Sequence, residues 1–420
     1  MQQAFRTQRR RLALIFALFA AGYFLSYSFR SIGPLIAPDL MLELALDAGQ
    51  LGLLASVYFL AFALAQPAIG IAMDRHGPVR VNAVLFATAA AGAVVFATGE
   101  DIAMLAVGRA LIGLGVSGAL MTALKAFVVW FPPSQREALS GAMMAVGGIA
   151  AMLVSIPAEL AMRAIGWRGM FLALGATSVV VAAALWWWLA EVDAIESRTR
   201  SQPASAEQGT DPASGGFRTI FASRIFMAYA PLAFFGSGGF TAVQSLWAGP
   251  WLIEVAGHTR ATAAEVLFAY GLALFAGYLL VAFISARIRD IPGAPRRLYV
   301  ASLAIAYAAL AAIISNQWPG SYLPWFAYGL TLGAGMLAYP ALTRVFPVAI
   351  AGRVVTAYNV VMFAGGFVLQ WAIGALIQAL LDSGMAKPLA YQMSFAALLA
   401  TQVMALAWFW LFSRTAQAEP

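Results

Sequence analysis

Hydrophobic runs recur from one end of the chain to the other, each bounded by charged residues, Pro or Gly. As an α-helix, a run of about 20 apolar residues spans the hydrocarbon core of a bilayer. The pattern predicts an all-α membrane protein with twelve transmembrane helices. The predicted spans are 12–37, 49–73, 79–98, 102–130, 138–160, 169–190, 225–250, 263–285, 298–315, 322–345, 353–379 and 390–412.

One long polar segment, residues 191–224, interrupts this pattern near the middle of the chain. It is rich in Ser, Pro and Gly, a composition typical of flexible linkers. It predicts three parts: a six-helix bundle over 1–190, a cytoplasmic linker over 191–224 and a second six-helix bundle over 225–420.

Short features recur in the two predicted bundles, after the fourth span and after the tenth. They are Phe131-Pro132, Arg136 and Gly147-Gly148 in the first bundle, and Phe346-Pro347, Arg353 and Gly365-Gly366 in the second. Pseudo-symmetric halves place a substrate site at their interface near the middle of the membrane, where it works by alternating access.

Composition excludes several classes of protein. With 62% hydrophobic residues, 10% charged residues and a mean hydropathy of +0.82, the chain cannot cover a soluble globule with charge. It has no Cys, its two histidines, His76 and His258, fall in loops on opposite sides, and no phosphate-binding loop is present. We therefore expect no catalytic residues, metal site or cofactor, and a membrane-embedded enzyme is disfavoured.

The net charge of +7 raises the question of nucleic-acid binding, but the positions of the basic residues argue against it. Arginines cluster in 6–11 and in alternate predicted loops, whereas the first outer loop has Asp39 and Asp47 and no Lys or Arg. This positive-inside distribution predicts a multi-pass protein of the bacterial inner membrane with both termini cytoplasmic. The expected partners are the lipid bilayer and a small-molecule substrate, with no nucleic acid and a monomeric state.

The loop between the second and third spans carries a recognisable motif. It reads Gly70-Ile-Ala-Met-Asp74-Arg75-His76-Gly77-Pro78-Val79-Arg80. This resembles the cytoplasmic signature of the major facilitator superfamily, G-x-x-x-D-R-x-G-x-R-R, except that Val79 replaces a basic residue. The resemblance implies the major facilitator fold and a conformational latch. The implied latch residues are Gly70, Asp74, Arg75, Gly77 and Arg80. A generic basic loop is the alternative.

Tyr23, Tyr27 and Arg30 lie at positions i, i+4 and i+7 of the first span and therefore share one helix face. A guanidinium flanked by phenols suits a planar carboxylate, so we predict that these residues contact the substrate. In the alternative, Arg30 extends to the outer membrane interface.

Arg109 lies in the fourth span within Gly108-Arg109-Ala-Leu-Ile-Gly113-Leu-Gly115, which resembles the superfamily pattern R-x-x-x-G-x-G. An arginine at membrane depth normally faces protein, water or a counter-charge. The position predicts either a substrate contact or a structural network.

Three further segments resemble the anion:cation symporter branch of the superfamily. They are Ser26-Tyr27-Ser28-Phe29-Arg30, Trp130-Phe131-Pro132-Pro133-Ser134-Gln135-Arg136 and Gly166-Trp167-Arg168. The resemblance implies that Tyr27, Arg30 and Arg109 bind or organise an organic anion. Phe29 and Val116, however, stand where the branch has acids that couple transport to protons or cations. Transport is therefore expected to be uncoupled or to proceed by exchange.

The remaining candidate substrate contacts are less specific. Lys125 lies near the cytoplasmic end of the fourth span, where it either extends to the interface or provides an anion with an inner resting place. The second half offers only uncharged candidates, each of which could instead be an ordinary packing residue: Gln244, Trp247, Tyr270, Tyr339, Tyr358 and Asn359.

Together these features predict a secondary transporter of a small organic anion, a carboxylate, working by alternating access as a uniporter or exchanger. The alternative is proton-coupled export or import of a larger amphipathic compound such as a drug or siderophore. A receptor that binds without transporting is a third hypothesis.

Overall fold

The computed structural model describes residues 2–200, 217–288, 291–347 and 350–415, which are helical with short connections and contain no strand within these ranges. We call residues 2–200 the N-terminal half and residues 217–415 the C-terminal half. The helices of the N-terminal half are α1 (Gln2–Ser31), α2 (Gly33–Glu43), α3 (Ala48–His76), α4 (Pro78–Thr98), α5 (Ile102–Val116), α6 (Ala119–Trp130), α7 (Pro133–Leu153) and α8 (Ile156–Arg200). Helix α8 is interrupted at Gly166, where φ is 68° and ψ is 173°.

The C-terminal half contains more interruptions. Its segments are α9 (Phe217–Ala222), α10 (Arg224–Pro231), a π-helix (Leu232–Ser237), α11 (Gly238–Ala242), a second π-helix (Val243–Trp247), α12 (Ala248–Glu254), α13 (Arg260–Ile288), α14 (Ala294–Ser315), α15 (Leu323–Thr331), a 3₁₀-helix (Leu332–Leu337), α16 (Ala338–Thr343), α17 (Ala351–Asp382) and α18 (Lys387–Thr415). Such departures from α-geometry at membrane depth are tolerated where the backbone is buried in protein or lines a cavity.

Ten segments in the described ranges are long and apolar enough to cross a membrane. They cover ten of the twelve predicted spans. The fifth prediction, 138–160, falls on α7 and the beginning of α8, and the tenth, 322–345, falls on α15, the 3₁₀-helix and α16. The protein is therefore a multi-pass, all-helical membrane protein, while the count of twelve spans stays a prediction.

The predicted linker differs from the structure at both of its ends. Helix α8 continues to Arg200, and α9 and α10 begin at Phe217 and Arg224, so only 201–216 is left, which lies outside the described residues. Residues 191–200 contain Glu, Ala and Arg, which are good helix formers, and this explains why the helix continues past the apolar run.

The two halves pack together at one end of the molecule, which we call the Asp39 side; the opposite end is the Asp74 side. Glycines allow this approach. A Cβ atom on Gly33 would collide with the backbone of Ser245, and one on Gly249 would collide with Pro34. The backbone nitrogen of Ala48 also donates to Gln378 at 3.3 Å. Backbone contact this close joins α2 and α3 firmly to the opposite half.

The packing loosens toward the Asp74 side. On α7, a Cβ on Gly148 would lie 2.7 Å from the Cβ of Phe275, whereas one on Gly141 would meet nothing within 4 Å. These two glycines are seven residues apart and therefore share a helix face. Gly352, at the start of α17, is likewise exposed with open space beside it. The halves are thus closed at the Asp39 side and diverge toward the Asp74 side.

Candidate substrate site between the two halves

Helix α1 places Tyr23, Tyr27 and Arg30 on a shared face, as their spacing predicts. The guanidinium carbon of Arg30 lies 4.4 Å from the centre of the Tyr27 ring, and the rings of Tyr23 and Tyr27 are 6.1 Å apart. The Arg30 Nε atom is buried and has no hydrogen-bond partner. Arg30 is therefore held by the Tyr27 ring and by a hydrogen bond to Tyr23, while its Nε donor stays unused.

The electrostatic neighbours of Arg30 are phenols rather than acids. They are Tyr27, Tyr58, Tyr23 and Tyr278, the last of which comes from α13 of the opposite half. Among the described residues, no carboxylate pairs with Arg30. A positive charge without a counter-charge in such a place favours an anionic ligand.

Gln244 and Tyr278 complete this site from the C-terminal half. The amide nitrogen of Gln244 donates to the Tyr27 hydroxyl at 3.1 Å, and Tyr278 approaches both Tyr27 and Arg30. Tyr278 and Tyr58 were not predicted from the sequence. Tyr278 follows Tyr270 by about two helical turns, and this spacing was the signal that could have identified it. The buried Tyr58 hydroxyl has Arg30 among its electrostatic neighbours.

Arg109 lies behind α1, within the N-terminal half. It is 4% exposed, its Nη1 donates to the backbone oxygen of Phe29 at 3.4 Å, and its guanidinium carbon lies 4.7 Å from the Phe96 ring and 5.2 Å from the Phe171 ring. These contacts support the structural-network alternative, because the side chain braces the backbone of α1 next to Arg30. Of the phenols around Arg30, Tyr58 is the one that is also an electrostatic neighbour of Arg109.

Lys125 pairs with Asp74 of the motif loop, with 2.6 Å between Nζ and Oδ1. The carboxylate is largely exposed, with 84% of the side chain accessible. Gly77 joins α3 to α4 with φ of 79° and ψ of 160°, a conformation that favours glycine. Val79, which departs from the signature, is completely buried, which explains an apolar residue there. Lys125 thus interacts with the motif loop at Asp74 rather than with the site at Arg30.

The other uncharged candidates lie in two places. Trp247 is fully buried and its Nε1 donates to the backbone oxygen of Gln370 at 2.9 Å. A Cβ on Gly52 of α3 would lie 3.2 Å from the Trp247 ring, so this side chain packs at the contact between the halves. Tyr339 donates to Asn359 at 2.6 Å, and the Tyr358 ring lies 5.1 Å from that of Tyr339. These last three form a cluster in the C-terminal half, and Tyr339 also has Tyr23 and Arg30 of the opposite half among its electrostatic neighbours.

Tyr270 has a buried hydroxyl without a partner, and its ring stacks on Tyr328 at 6.2 Å. It lies on α13, on which Tyr278 also lies, and Tyr27 is among its electrostatic neighbours. Its hydroxyl is therefore free to contact a ligand or water near the site.

A charged cluster that sequence reasoning missed joins the halves at the Asp39 side. Arg260 of α13 donates to both carboxylate oxygens of Asp39, at 2.8 and 2.6 Å, to Glu159 at 2.9 Å and to the backbone oxygen of Leu35 at 3.1 Å. Glu159 is 3% exposed and also pairs with Arg163, one turn along α8, at 3.3 Å. Residues this distant in sequence meet only in the folded chain, and so their spacing gave no signal.

Two packed sets of membrane-spanning helices with an arginine between them are an arrangement typical of secondary transporters. The sequence pattern of the Major Facilitator Superfamily matches residues 14–370, and the chain belongs to this family. This is a family of transporters rather than of enzymes.

Three curated relatives are similar over part of the chain. A "Probable sulfoacetate transporter" of Cupriavidus necator is 28% identical over 179 residues, which is 43% of this chain and 41% of the relative. A "Galacturonate transporter" of Dickeya chrysanthemi is 29% identical over 39% of this chain and 47% of its own length. A "Hexuronate transporter" of Bacillus subtilis is 33% identical over 31% of each. The matched part is less than half of each relative.

Solved structures match over nearly the whole chain. A D-xylose-proton symporter has a TM-score of 0.75 at 16% identity, with 96% of this chain and 98% of that chain covered. A bacterial homologue of the human lysosomal transporter Spinster has a TM-score of 0.72 at 19% identity, with 96% and 97% covered. At these identities the likeness establishes the major facilitator fold alone.

Proposed function

We propose that this protein carries a small organic anion across the membrane by alternating access, with Arg30 binding the carboxylate or sulfonate group. The observation that carries the proposal is the guanidinium of Arg30, which lies among phenols from both halves and has no acidic partner among the described residues. A ligand anion would supply the missing counter-charge and accept hydrogen bonds from the guanidinium fork. The three similar transporters are named for sulfoacetate, galacturonate and hexuronate, which are all organic anions.

The residues that the C-terminal half contributes to the site are suited to recognising the uncharged part of a ligand rather than its charge. Gln244 and Tyr278 are uncharged and reach Tyr27 from the opposite half. A ligand that replaces the Gln244–Tyr27 hydrogen bond would contact both halves at once. Contact with both halves is what lets a ligand influence how they move relative to each other.

The orientation follows from charge. Placing the Asp74 side in the cytoplasm satisfies the positive-inside distribution, with twelve spans across the bacterial inner membrane and both termini in the cytoplasm. In that orientation the observed conformation, closed at the Asp39 side, is open toward the cytoplasm.

Coupling to protons has little support at this site. Phe29 and Val116, where the related branch carries acids, are both fully buried and apolar. We infer uniport or anion exchange, which leaves an imposed proton gradient without effect on accumulation. Proteoliposomes that concentrate the anion in proportion to an imposed proton gradient would contradict this.

A thermal-shift and binding screen tests the proposal. Carboxylates, sulfonates, drugs and siderophores are added to the purified protein, and the hits are measured by calorimetry with Arg30→Gln, Arg30→Lys and the exposed control Arg218→Gln. Binding to the native state raises the melting temperature. We expect anions to bind, Arg30→Gln to lose more than about tenfold in affinity, Arg30→Lys to lose less, and Arg218→Gln to match the parent.

Two results would overturn the proposal. Unchanged anion affinity in Arg30→Gln would remove Arg30 from the site. Stabilisation by drugs or siderophores but by no anion would favour the alternative of a carrier for larger amphipathic compounds.

A further inference from the structure

A wide apolar groove runs along the outer face of the N-terminal half, between α4 and α8. It has a volume of about 760 Å³, within the range of about 300–1,000 Å³ that is typical of ligand sites. Its floor consists of the buried residues Ala83, Ala90, Gly175 and Ala182. A Cβ on Gly175 would lie 3.0 Å from the Cβ of Ala93. The two helices therefore lie close together beneath the groove because their side chains are small.

The walls of the groove are apolar and exposed. Val84, Val94, Leu172 and Val179 are 45–56% exposed, and every residue that lines the groove is Ala, Gly, Val, Leu or Trp. Both helices are long and apolar enough to cross a membrane. The groove therefore opens toward the hydrocarbon of the bilayer, which favours an apolar occupant.

Arg80 marks one end of the groove. Arg80, Val84, Ala87, Ala91 and Val94 lie at positions i, i+4, i+7, i+11 and i+14 of α4, so they share one helix face. All five side chains are exposed. Arg80 belongs to the first turn of α4, and the guanidinium therefore lies on the open side of the groove at its Asp74 end.

Trp187 lies at the same level on α8. Helix α4 begins at the Asp74 side and α8 at the Asp39 side, and the contact of Gly175 with Ala93 fixes their register. Trp187 follows Gly175 by 12 residues and Arg80 precedes Ala93 by 13, which places both about 18–20 Å from that contact. Trp187 is 73% exposed, and Trp is enriched at the membrane interface. The Arg80 end of the groove is therefore at the depth of lipid headgroups.

We propose that this groove binds an acyl chain of an anionic phospholipid, with the headgroup phosphate at Arg80. A guanidinium can donate two parallel hydrogen bonds to a phosphate, and a basic residue at the membrane surface attracts anionic headgroups. The chain lies over the small residues, where it contacts the floor and both walls. The inference requires only that α4 and α8 cross a membrane, and it is independent of the anion proposed at Arg30.

A protein occupant fits the groove less well. In a twofold dimer this concave surface would face its own copy and enclose a void. A partner's transmembrane helix extends over about 30 Å, whereas the lining residues of α4 and α8 extend over about 17 Å and 23 Å. The arginine at the end adds a contact that a lipid phosphate satisfies and an apolar helix does not.

Native mass spectrometry of the purified full-length protein tests the proposal. Delipidated protein is titrated with phosphatidylglycerol or with phosphatidylcholine of the same chains, which lacks the net negative charge. We expect phosphatidylglycerol to bind about fivefold more tightly, and Arg80→Gln to remove most of this preference. Ala91→Leu fills the middle of the groove and should lower the affinity for both lipids by about tenfold or more. The controls Arg218→Gln and Ala400→Leu, at exposed positions away from the groove, should match the parent.

Three results would overturn the proposal. Parental lipid affinity in Ala91→Leu would place the lipid elsewhere, and equal affinity of the parent for the two lipids would remove the headgroup site at Arg80. A dimer of the parent that Ala91→Leu dissociates would assign the groove to a second copy of the chain. Ala91 is exposed, so we expect the variant to keep the parental melting temperature before lipid is added. If that temperature falls, Ala87→Leu, which fills the groove from the neighbouring turn, takes its place.

Discussion

The cluster centred on Arg260 predicts a specific shift in the conformation of the protein. Arg260 belongs to the C-terminal half, and Asp39 and Glu159 belong to the N-terminal half, so these ion pairs exist only while the Asp39 side is closed. Replacing Arg260 by Gln is expected to weaken the closed conformation and to populate one that is open at the Asp39 side.

The size of the effect follows from burial. The side chains of Arg260 and Asp39 are 34% and 30% exposed, which places this pair near the upper end of the range for surface ion pairs, about 1 kcal/mol. Glu159 is 4% exposed and loses one of its two arginine partners, which adds about 1 kcal/mol, well below the cost of leaving a buried charge unpaired. About 2 kcal/mol in total changes the ratio of open to closed molecules by about 25-fold.

The absence of Cys from the chain makes this measurable. Ser245 is 5% exposed at the contact between the halves, where its hydroxyl donates to Gln370 at 2.6 Å, so Ser245→Cys provides a single buried thiol. The rate of maleimide labelling in detergent then reports how often the Asp39 side opens. We expect Arg260→Gln to increase this rate by up to about 25-fold over the Ser245→Cys parent.

A matched control separates opening from a general loss of charge. Arg163→Gln removes the other arginine partner of Glu159, but both residues lie on α8 and move together. This control should leave the labelling rate near that of the parent. An unchanged rate in Arg260→Gln, or an equal increase in Arg163→Gln, would refute the reasoning.

Three further predictions concern the motif loop and the helix contacts. Gly77→Ala should cost about 1–3 kcal/mol in thermal stability, because φ is 79° at this position. The control Gly70→Ala should be tolerated, because a Cβ there meets nothing within 4 Å. Similar melting temperatures for the two variants would contradict this prediction. Lys125→Met should cost less than about 1 kcal/mol, since the carboxylate it pairs with is exposed, and should leave anion affinity within twofold by calorimetry. Gly148→Val should lower the free energy of unfolding by about 1–3 kcal/mol, because the new side chain would clash with α13. A comparable loss in the control Gly141→Val would disprove the divergence of the halves toward the Asp74 side.

Much of the architecture follows from the order of apolar and polar residues, because in a bilayer each backbone polar group must be satisfied within its own helix. That constraint explains why ten predicted spans correspond to candidate membrane helices. The fifth and tenth are harder to predict. The tenth is broken by a 3₁₀-helix, and the fifth extends over two helices. Their geometry depends on neighbouring helices rather than on their own hydrophobicity.

The site was predictable where its residues share one helix. Tyr23, Tyr27 and Arg30 lie at helical spacing on α1, and so their shared face could be read from the chain. Tyr58 and Tyr278 come from other helices, and no spacing rule relates them to Arg30. The role of an isolated charge was equally hidden, since only packing distinguishes an arginine in a cavity from one against a helix backbone.

The sequence by itself determined the membrane class, the superfamily and the face of α1 that carries Arg30, because these depend on hydrophobicity and local spacing. Only the tertiary structure decided that Arg109 braces the backbone at Phe29, that Lys125 pairs with Asp74, and that Arg260 joins the two halves. The physical reason is that the effect of a buried charge depends on which partners lie within a few ångströms. Those partners come from parts of the chain that meet only when the helices pack.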